Sequence, residues 1–403
     1  MVSTRTTVKD VRRANRSALL RPLLLNGPSN RVALVQLTGL SSAGVTNVVA
    51  DLLAEGLVVE AGTEESDGGR PRARLEPNPR IAIIGVDVGE TSICIEAFDL
   101  QMRVVGKVPL AVHPRDMTAR EVIEVVTSGV RALIDSPELV DRFVLGVGVG
   151  VPGVVEQGPE GVHAPGLGWQ NVSLGPALER AVKLPVLVDN GATTLGQAEM
   201  WFGAGRGASH AIVATLAFGV GAAIFANGTL YRGAASSAGE WGHTCIVVGG
   251  RRCRCGARGC LEAYVGAEAL LAQWRERNPR IKLPRHYDAE QWIKKLVASV
   301  DSDPTAAELL HETATYLGVA AANLVNLFNP ERIIIGGWLG IRVGKLLLED
   351  IRTTLAEQAL AYPAMRVELE LGTLGNDATA LGASTLVVSN FIESGGELAG
   401  RLP

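Results

Sequence analysis

Three cysteines crowd into eight residues, Cys253-Arg-Cys255-Gly-Ala-Arg-Gly-Cys260, followed by Leu261-Glu262 and preceded ten residues earlier by His243. Three thiols and one imidazole suit a closed tetrahedral zinc site. Cys253, Cys255 and Cys260 reach one ion only if the loop turns back tightly, which Gly256 and Gly259 permit. With His243 as the fourth ligand, the protein would fill every coordination position, so the expected zinc is structural rather than water-activating. The alternative is a set of reduced thiols in a loop. Five cysteines with this crowding do not read as a disulfide framework.

Charge is distributed unevenly. The net charge is −4, which advertises no global affinity for nucleic acid, yet residues 1–80 carry 11 Lys/Arg against 8 Asp/Glu. A basic end on an acidic body directs attention to the N-terminus. Val8–Leu25 has apolar residues at helical spacing, with Arg12, Arg13, Arg16 and Arg21 among them. Ser29 is placed to cap a second helix through Leu37, Thr38-Gly39-Leu40 to turn, and Ser41 to cap a third helix ending at Gly56. Two short helices around a glycine-containing turn are a helix-turn-helix. Leu57–Glu60 and Arg72–Leu75 read as the strands of a hairpin wing with a polar tip over 62–69. Ser42, Ala43, Thr46 and Asn47 open the third helix with side chains that can approach base edges. In the wing, Gly68-Gly69-Arg70-Pro71-Arg72 offers Arg70 and Arg72 to a narrow minor groove. The competing reading is a packing unit with a solvated basic face.

From Ile81 onward the chain alternates apolar strands with glycine turns. Ile81–Val86, Ser92–Phe98 and Val104–Leu110 look like a meander, followed by a helix over about 118–134 and a strand at Phe143–Val149. Ala211–Leu216, a glycine turn and Ala222–Phe225 repeat the strand–turn–strand theme around Asp87-Val88-Gly89. Leu309–Phe328 is expected to be a buried helix, and Arg332–Ile335 a strand running into Gly336-Gly337. The expectation is a duplicated α/β domain with a cleft between its lobes. The longest uncharged apolar run, Ala211–Ala226, falls short of the roughly 20 residues of a membrane span. No signal-peptide pattern opens the chain, so no membrane partner is expected and the expected location is the cytoplasm.

The Cys-x-Cys-Gly-x-x-Gly-Cys-x-Glu loop, with Gly239-Glu240-Trp241-Gly242-His243 before it, resembles the ROK family of repressors, open reading frames and kinases. Asn326–Gly337, Gly150–Val155 and Gly168-Trp169 resemble further segments of that family. The resemblance implies an α/β protein with an N-terminal winged helix-turn-helix over residues 1–80. A two-lobed actin-like (ribonuclease H-like) sugar-kinase-type domain follows over residues 81–403. It implies a sugar-contacting set of Gly153, Asn190, Glu240, His243 and Glu262. His243 would then present one ring nitrogen to zinc and the ring edge to sugar. Trp169 reads more readily as core or pocket wall than as a stacking platform.

The same resemblance points away from catalysis. The family's catalytic Asn-Asp pair falls here on Asn190 and Gly191, and glycine cannot take a proton. Asp189 lies on the other side of Asn190 and is expected to face away. Glu90 stands where kinases keep a second glycine, and the second phosphate turn reads Ala217-Phe218-Gly219-Val220-Gly221-Ala222-Ala223, with Phe218 in place of threonine. The expectation is a non-enzymatic, sugar-responsive regulator, a repressor in the first instance. It would act on palindromic operator DNA as a homodimer or homotetramer. Two alternatives stay open: an active sugar kinase with an added DNA-binding head, or a regulator that reads a phosphosugar or a partner protein.

Overall fold

The computed structural model describes residues 7–64, 71–110, 112–156, 161–284, 287–375 and 378–398. Helix α1 (Val8–Leu25) is opened by a reciprocal cap, in which the Thr7 hydroxyl accepts the Asp10 N–H and the Asp10 carboxylate accepts the Thr7 N–H. Asn30, not Ser29, caps α2 (Arg31–Thr38), accepting the Val32 and Ala33 N–H groups at 3.0 Å each. The reason is tertiary: Ser29 and Asn30 form a short strand, β1, laid against Leu75 and Arg74, so the helix begins one residue later. Gly39 ends α2 at φ +68°, and Ser41 caps α3 (Ser42–Ala54). The axes of α2 and α3 are bent by 116°, within the range of a helix-turn-helix.

After Gly56, β2 (Val58–Glu64) and β3 (Arg72–Pro77) pair antiparallel, giving a sheet of order β1-β3-β2. The strands of the wing are longer than expected, since β2 continues through Gly62 to Glu64 and β3 reaches Pro77. The tip, with Arg70, lies outside the described residues. Leu34, Val45, Val49, Leu52, Leu57 and Leu75 are essentially inaccessible to solvent and form the core of this head.

The next sheet starts with the meander β4 (Ile81–Val88), β5 (Ile93–Asp99) and β6 (Val104–Leu110). Helix α4 (Ala119–Ile134) is opened by a Thr118–Glu121 capping box and leads to β7 (Phe143–Val151). A small antiparallel sheet, β8 (Val154–Val155), β9 (Val162–Ala164) and β10 (Trp169–Val172), precedes α5 (Leu174–Val182) and β11 (Val186–Asn190). Strand β11 begins just after Pro185, which has no N–H to give a ladder. The strand order is β11-β7-β4-β5-β6.

The second large sheet has the same plan. After α6 (Gly191–Phe202), the meander β12 (Ala211–Leu216), β13 (Val220–Ala226) and β14 (Thr229–Tyr231) is followed by α7 (Glu262–Val265), α8 (Ala267–Arg277), α9 (Ala289–Ala298) and α10 (Pro304–Phe328). Then come β15 (Arg332–Gly336), α11 (Gly337–Gln358), α12 (Ala361–Ala364), β16 (Glu368–Leu371) and α13 (Ala378–Glu393). The order β14-β13-β12-β15-β16 reproduces the first sheet, three strands in a meander and two that return through helices. Helix α10 starts at Pro304 rather than Leu309, because Asp303 caps it and proline is favoured at the first helical position. Its buried face packs with α11 in the core of this half.

Contacts divide the chain into one compact unit of residues 1–149, 174–189 and 383–403 and another of 150–173 and 190–382. The head belongs to the first. Arg16 is buried there: its guanidinium pairs with Glu55 at 2.5 Å and donates to the carbonyl of Gly395 at 2.5 Å. Arg12 pairs with Asp51 at 2.8 Å. Arg16 is therefore a buried anchor, whereas Arg12 and Arg13 stay exposed, paired with Asp51 and Asp10.

Candidate functional site

The cysteine loop follows a short 3-10 turn, Trp241–His243, whose Trp241 indole donates to the carbonyl of Ala320 at 3.3 Å. From Thr244 to Leu261 the chain folds back on itself, held by two isolated antiparallel bridges, Cys245 with Cys260 and Arg252 with Arg258. Gly259 has φ +81° and Gly256 has φ +96°, a conformation that glycine adopts without cost. The N–H of Gly259 donates to Arg251 at 2.8 Å and its carbonyl accepts from Ile246 at 2.8 Å.

This fold brings His243, Cys253, Cys255 and Cys260 together, with all four ligand atoms within 4.8 Å of one another. Cys253 Sγ lies 3.7 Å from His243 Nδ1, and Cys255 Sγ lies 3.8 Å from Cys260 Sγ. With Zn–S at about 2.3 Å, a regular tetrahedron has S···S edges of about 3.8 Å and S···N edges of about 3.6 Å. The four residues thus fit a zinc ion. Burial pushes the Cys253 thiol up to about 12 and raises Cys260 as well. A buried thiol of this kind becomes a thiolate only with a cation beside it. The other ring nitrogen, His243 Nε2, faces Glu240 Oε2 at 3.9 Å. A carboxylate on the far side of a ligating imidazole fixes which nitrogen carries the proton.

The five residues expected to meet sugar fall into two groups within one unit. Glu240, His243 and Glu262 form a chain of neighbours around the loop. Desolvation raises the Glu240 carboxyl above its ordinary value, with His243 opposing and Glu262 reinforcing the shift. Glu262 is buried, and its carboxylate is already engaged: Oε2 accepts the Val220 N–H at 3.0 Å and Oε1 accepts Arg254 Nε at 2.8 Å. Gly153 and Asn190 form the second group. Asn190 Oδ1 caps α6 through the Ala192 and Thr193 N–H groups, and Nδ2 donates to the Gly153 carbonyl at 2.5 Å. Asn190 thus has a structural task at the start of α6 in addition to any contact with a ligand. Arg254, half-exposed beside Glu262, was missed from the sequence, where it is only the variable residue between two cysteines. Trp169 is core, 3% exposed.

On the head, Ser42, Ala43, Thr46 and Asn47 form an exposed stripe on α3, opposite the buried Val45, Val48, Val49 and Leu52. The Thr46 hydroxyl turns back to the carbonyl of Ser42 at 2.8 Å, leaving its methyl group outward. Arg72 is exposed at the start of β3, beside Glu64 of β2.

A sequence profile described as the ROK family matches residues 83–390. The chain belongs to the ROK family. It is 31% identical over 396 residues to a xylose repressor of Caldicellulosiruptor bescii, covering 95% of this chain and 97% of that one. A glucokinase of Halalkalibacterium halodurans is 35% identical over 328 residues, 78% of this chain and 98% of the enzyme. A solved ROK family transcriptional regulator, a homologue of the E. coli MLC protein, superposes with a TM-score of 0.80 at 24% identity, covering 96% and 98% of the two chains. The fold is therefore the ROK one, α/β with actin-like sugar-kinase lobes, and the repressor-type relatives extend over the head as well.

Four residues that the sequence set apart from a kinase, Glu90, Phe218, Gly191 and Asp189, are placed as follows. Glu90 does not project from its turn; it is 5% exposed, with Arg115 Nη2 at 3.7 Å. The Phe218 ring packs on Trp338 at the start of α11, with centroids 5.5 Å apart. Gly191 has no positive φ, and a Cβ there would meet nothing closer than 3.7 Å. Its backbone does not demand glycine. Asp189 is 3% exposed. Among the described residues, no single helix is long and apolar enough to cross a bilayer.

Proposed function

We propose that this ROK protein is a sugar-responsive, DNA-binding transcriptional repressor with a head at residues 1–80 and an effector domain at residues 81–403. The observation that carries the reading is the exposed stripe Ser42, Ala43, Thr46 and Asn47 at the start of α3, the second helix of a helix-turn-helix. A helix of this kind enters the major groove with its N-terminal residues against base edges; Arg72 of the wing and Arg70, which lies outside the described residues, are assigned to the minor groove. The repressor relative aligned over 95% of the chain supports the assignment. Two heads on a homodimer or homotetramer read a palindromic operator with half-sites about one helical turn, or a multiple, apart.

The effector domain holds a structural zinc through His243, Cys253, Cys255 and Cys260. When bound, the metal supplies rigidity, fixing the loop that carries Glu262 and the imidazole that faces Glu240. Glu240, His243 and Glu262, with Gly153 and Asn190, form the carbohydrate site. Carboxylates accept hydrogen bonds from vicinal hydroxyls. A sugar alters operator affinity only through contacts that differ between the DNA-competent and released states.

Phosphoryl transfer needs a base at the attacking hydroxyl, and position 191 supplies none. A Cβ at position 191 would make only ordinary van der Waals contacts, so packing does not account for the glycine there. One observation favours a second ligand class. The Arg254 guanidinium, paired with Glu262 and open to solvent, suits a phosphosugar or another anionic sugar better than a neutral one.

The test is operator binding by fluorescence anisotropy, using promoter DNA upstream of the gene and titrating xylose, glucose and their phosphates. A sugar that changes operator affinity tenfold or more supports the reading. Transfer of phosphate from ATP to any of these sugars above background overturns the non-catalytic part. Gly191→Asp is expected to leave stability unchanged, and a loss of folding would refute the claim that the site has room.

A further inference from the structure

The zinc reading uses three of the loop's cysteines and leaves Cys245 without a task. Cys245 is exposed, sits two residues after His243 and forms an antiparallel bridge with the ligand Cys260. The hydrogen bonds flanking that bridge run from the Leu261 N–H to the Thr244 carbonyl at 3.0 Å and from the Ile246 N–H to the Gly259 carbonyl at 2.8 Å. This is the pattern of a non-hydrogen-bonded antiparallel pair, whose Cα atoms stand about 4.5 Å apart with both side chains on one face. A disulfide accepts Cα separations of about 4.4–6.8 Å, so this pair can be joined without unfolding the loop. Access is graded in the same sense: Cys260 is 1% exposed, whereas Cys245 opens to solvent. Cys245 Sγ also lies 3.2 Å from where a Cβ on Gly259 would be, so its sulfur is turned toward the loop.

We propose that Cys245 is an oxidation site built against the metal centre, and that a peroxide-class oxidant joins Cys245 to Cys260 and removes one of the four metal ligands. The inference rests on the zinc assignment above. The exposed Cys245 sulfur attacks the peroxide, breaking the O–O bond, releasing one water and leaving a sulfenic acid. The Cys260 sulfur then displaces the hydroxyl from Cys245, forming the S–S bond and releasing a second water. Two thiols are oxidised by two electrons and one peroxide is reduced to two waters. His243, Cys253 and Cys255 remain, one ligand short of a closed site, and a dithiol reductant restores the fourth.

The full-length protein, its zinc content first measured by elemental analysis, is exposed to hydrogen peroxide. Released zinc is followed with a chromogenic chelator, and cross-links are mapped by peptide mass spectrometry. The expected result is a Cys245–Cys260 cross-link that forms together with zinc release and is reversed by dithiothreitol. Cys245→Ser should release zinc at least tenfold more slowly. Release at the wild-type rate from that variant overturns the proposal. So does a cross-link map in which Cys245 stays free while Cys253, Cys255 or Cys260 pair with each other. If the purified chain carries no zinc, the metal assignment fails, and the cross-link map still tests the pairing on its own.

Discussion

Gly256 and Gly259 both take left-handed backbone in the cysteine loop, at φ +96° and +81°, yet replacing each with alanine should have very different consequences. At Gly256 an added Cβ meets nothing within 4 Å, so the cost is backbone strain alone, about 1 kcal/mol. At Gly259 the Cβ would lie 1.8 Å from the carbonyl oxygen of Val247. Non-bonded carbon and oxygen keep roughly 3.3 Å apart, so the two backbones must separate by roughly 1.5 Å. That movement loosens the Ile246 and Val247 N–H bonds to Gly259 and the Gly259 N–H bond to Arg251. At about 1 kcal/mol each, three such bonds bring the total to about 4 kcal/mol. Loop strain converts into metal affinity at 1.4 kcal/mol per tenfold. Gly256→Ala should therefore weaken zinc binding about fivefold and Gly259→Ala about a thousandfold. Competition against a chelator of known affinity, at fixed pH and with circular dichroism to verify the fold, measures both. Equal affinities for the two variants, or a weaker Gly256→Ala, would refute the argument that the close approach to Val247 sets the shape of the metal site.

Three further outcomes follow from other parts of the chain. Asn47→Ala, on the exposed stripe of α3, should cost about 1–3 kcal/mol of operator affinity and relax specificity at one base pair, read by anisotropy across single-base operator variants. Arg16→Ala removes the partner of Glu55 and the donor to Gly395, and should destabilise the first unit by about 3 kcal/mol in chemical denaturation, since it leaves a carbonyl and a carboxylate unmatched. Asp303, whose carboxyl is held well below its ordinary value by bonds from Thr305, Trp274 and Asn278, caps α10. Its native pKa lies below the unfolded value of about 3.9, so its contribution is complete above that pH and fades as pH falls further. Asp303→Ala should thus cost about 1–2 kcal/mol at pH 7, and the gap to wild type should narrow only below about pH 4.

The loop and the head show where sequence suffices. The cluster of His243, Cys253, Cys255 and Cys260 was legible because donor type, spacing and the intervening glycines are all local, and the structure brings the four together. Helix α3 was legible for the same reason: Ser41 caps it, Gly56 stops it, and the period of Val45, Val48, Val49 and Leu52 fixes the buried side, leaving Ser42, Ala43, Thr46 and Asn47 outside. The duplicated strand–turn–strand theme foretold two sheets of one plan.

What required the tertiary structure are pairings between residues that no local period connects. Ser29 looked like a cap until its pairing with Leu75 moved the helix start to Asn30. Arg16 looked like part of a basic face, and only the return of the chain 379 residues later, placing the Gly395 carbonyl beside it, made it a buried anchor. Glu262 was expected to meet sugar, whereas in the folded chain the turn at Val220 and the side chain of Arg254 engage both its oxygens. Cys245 meets Cys260 because the loop doubles back at two glycines, and the direction of a glycine turn is not written in spacing. Local sequence sets which backbone shapes and ligand types are cheap. Which polar group each one finally faces is decided by long-range closure, because a buried donor or acceptor takes whatever partner the folded chain brings to it.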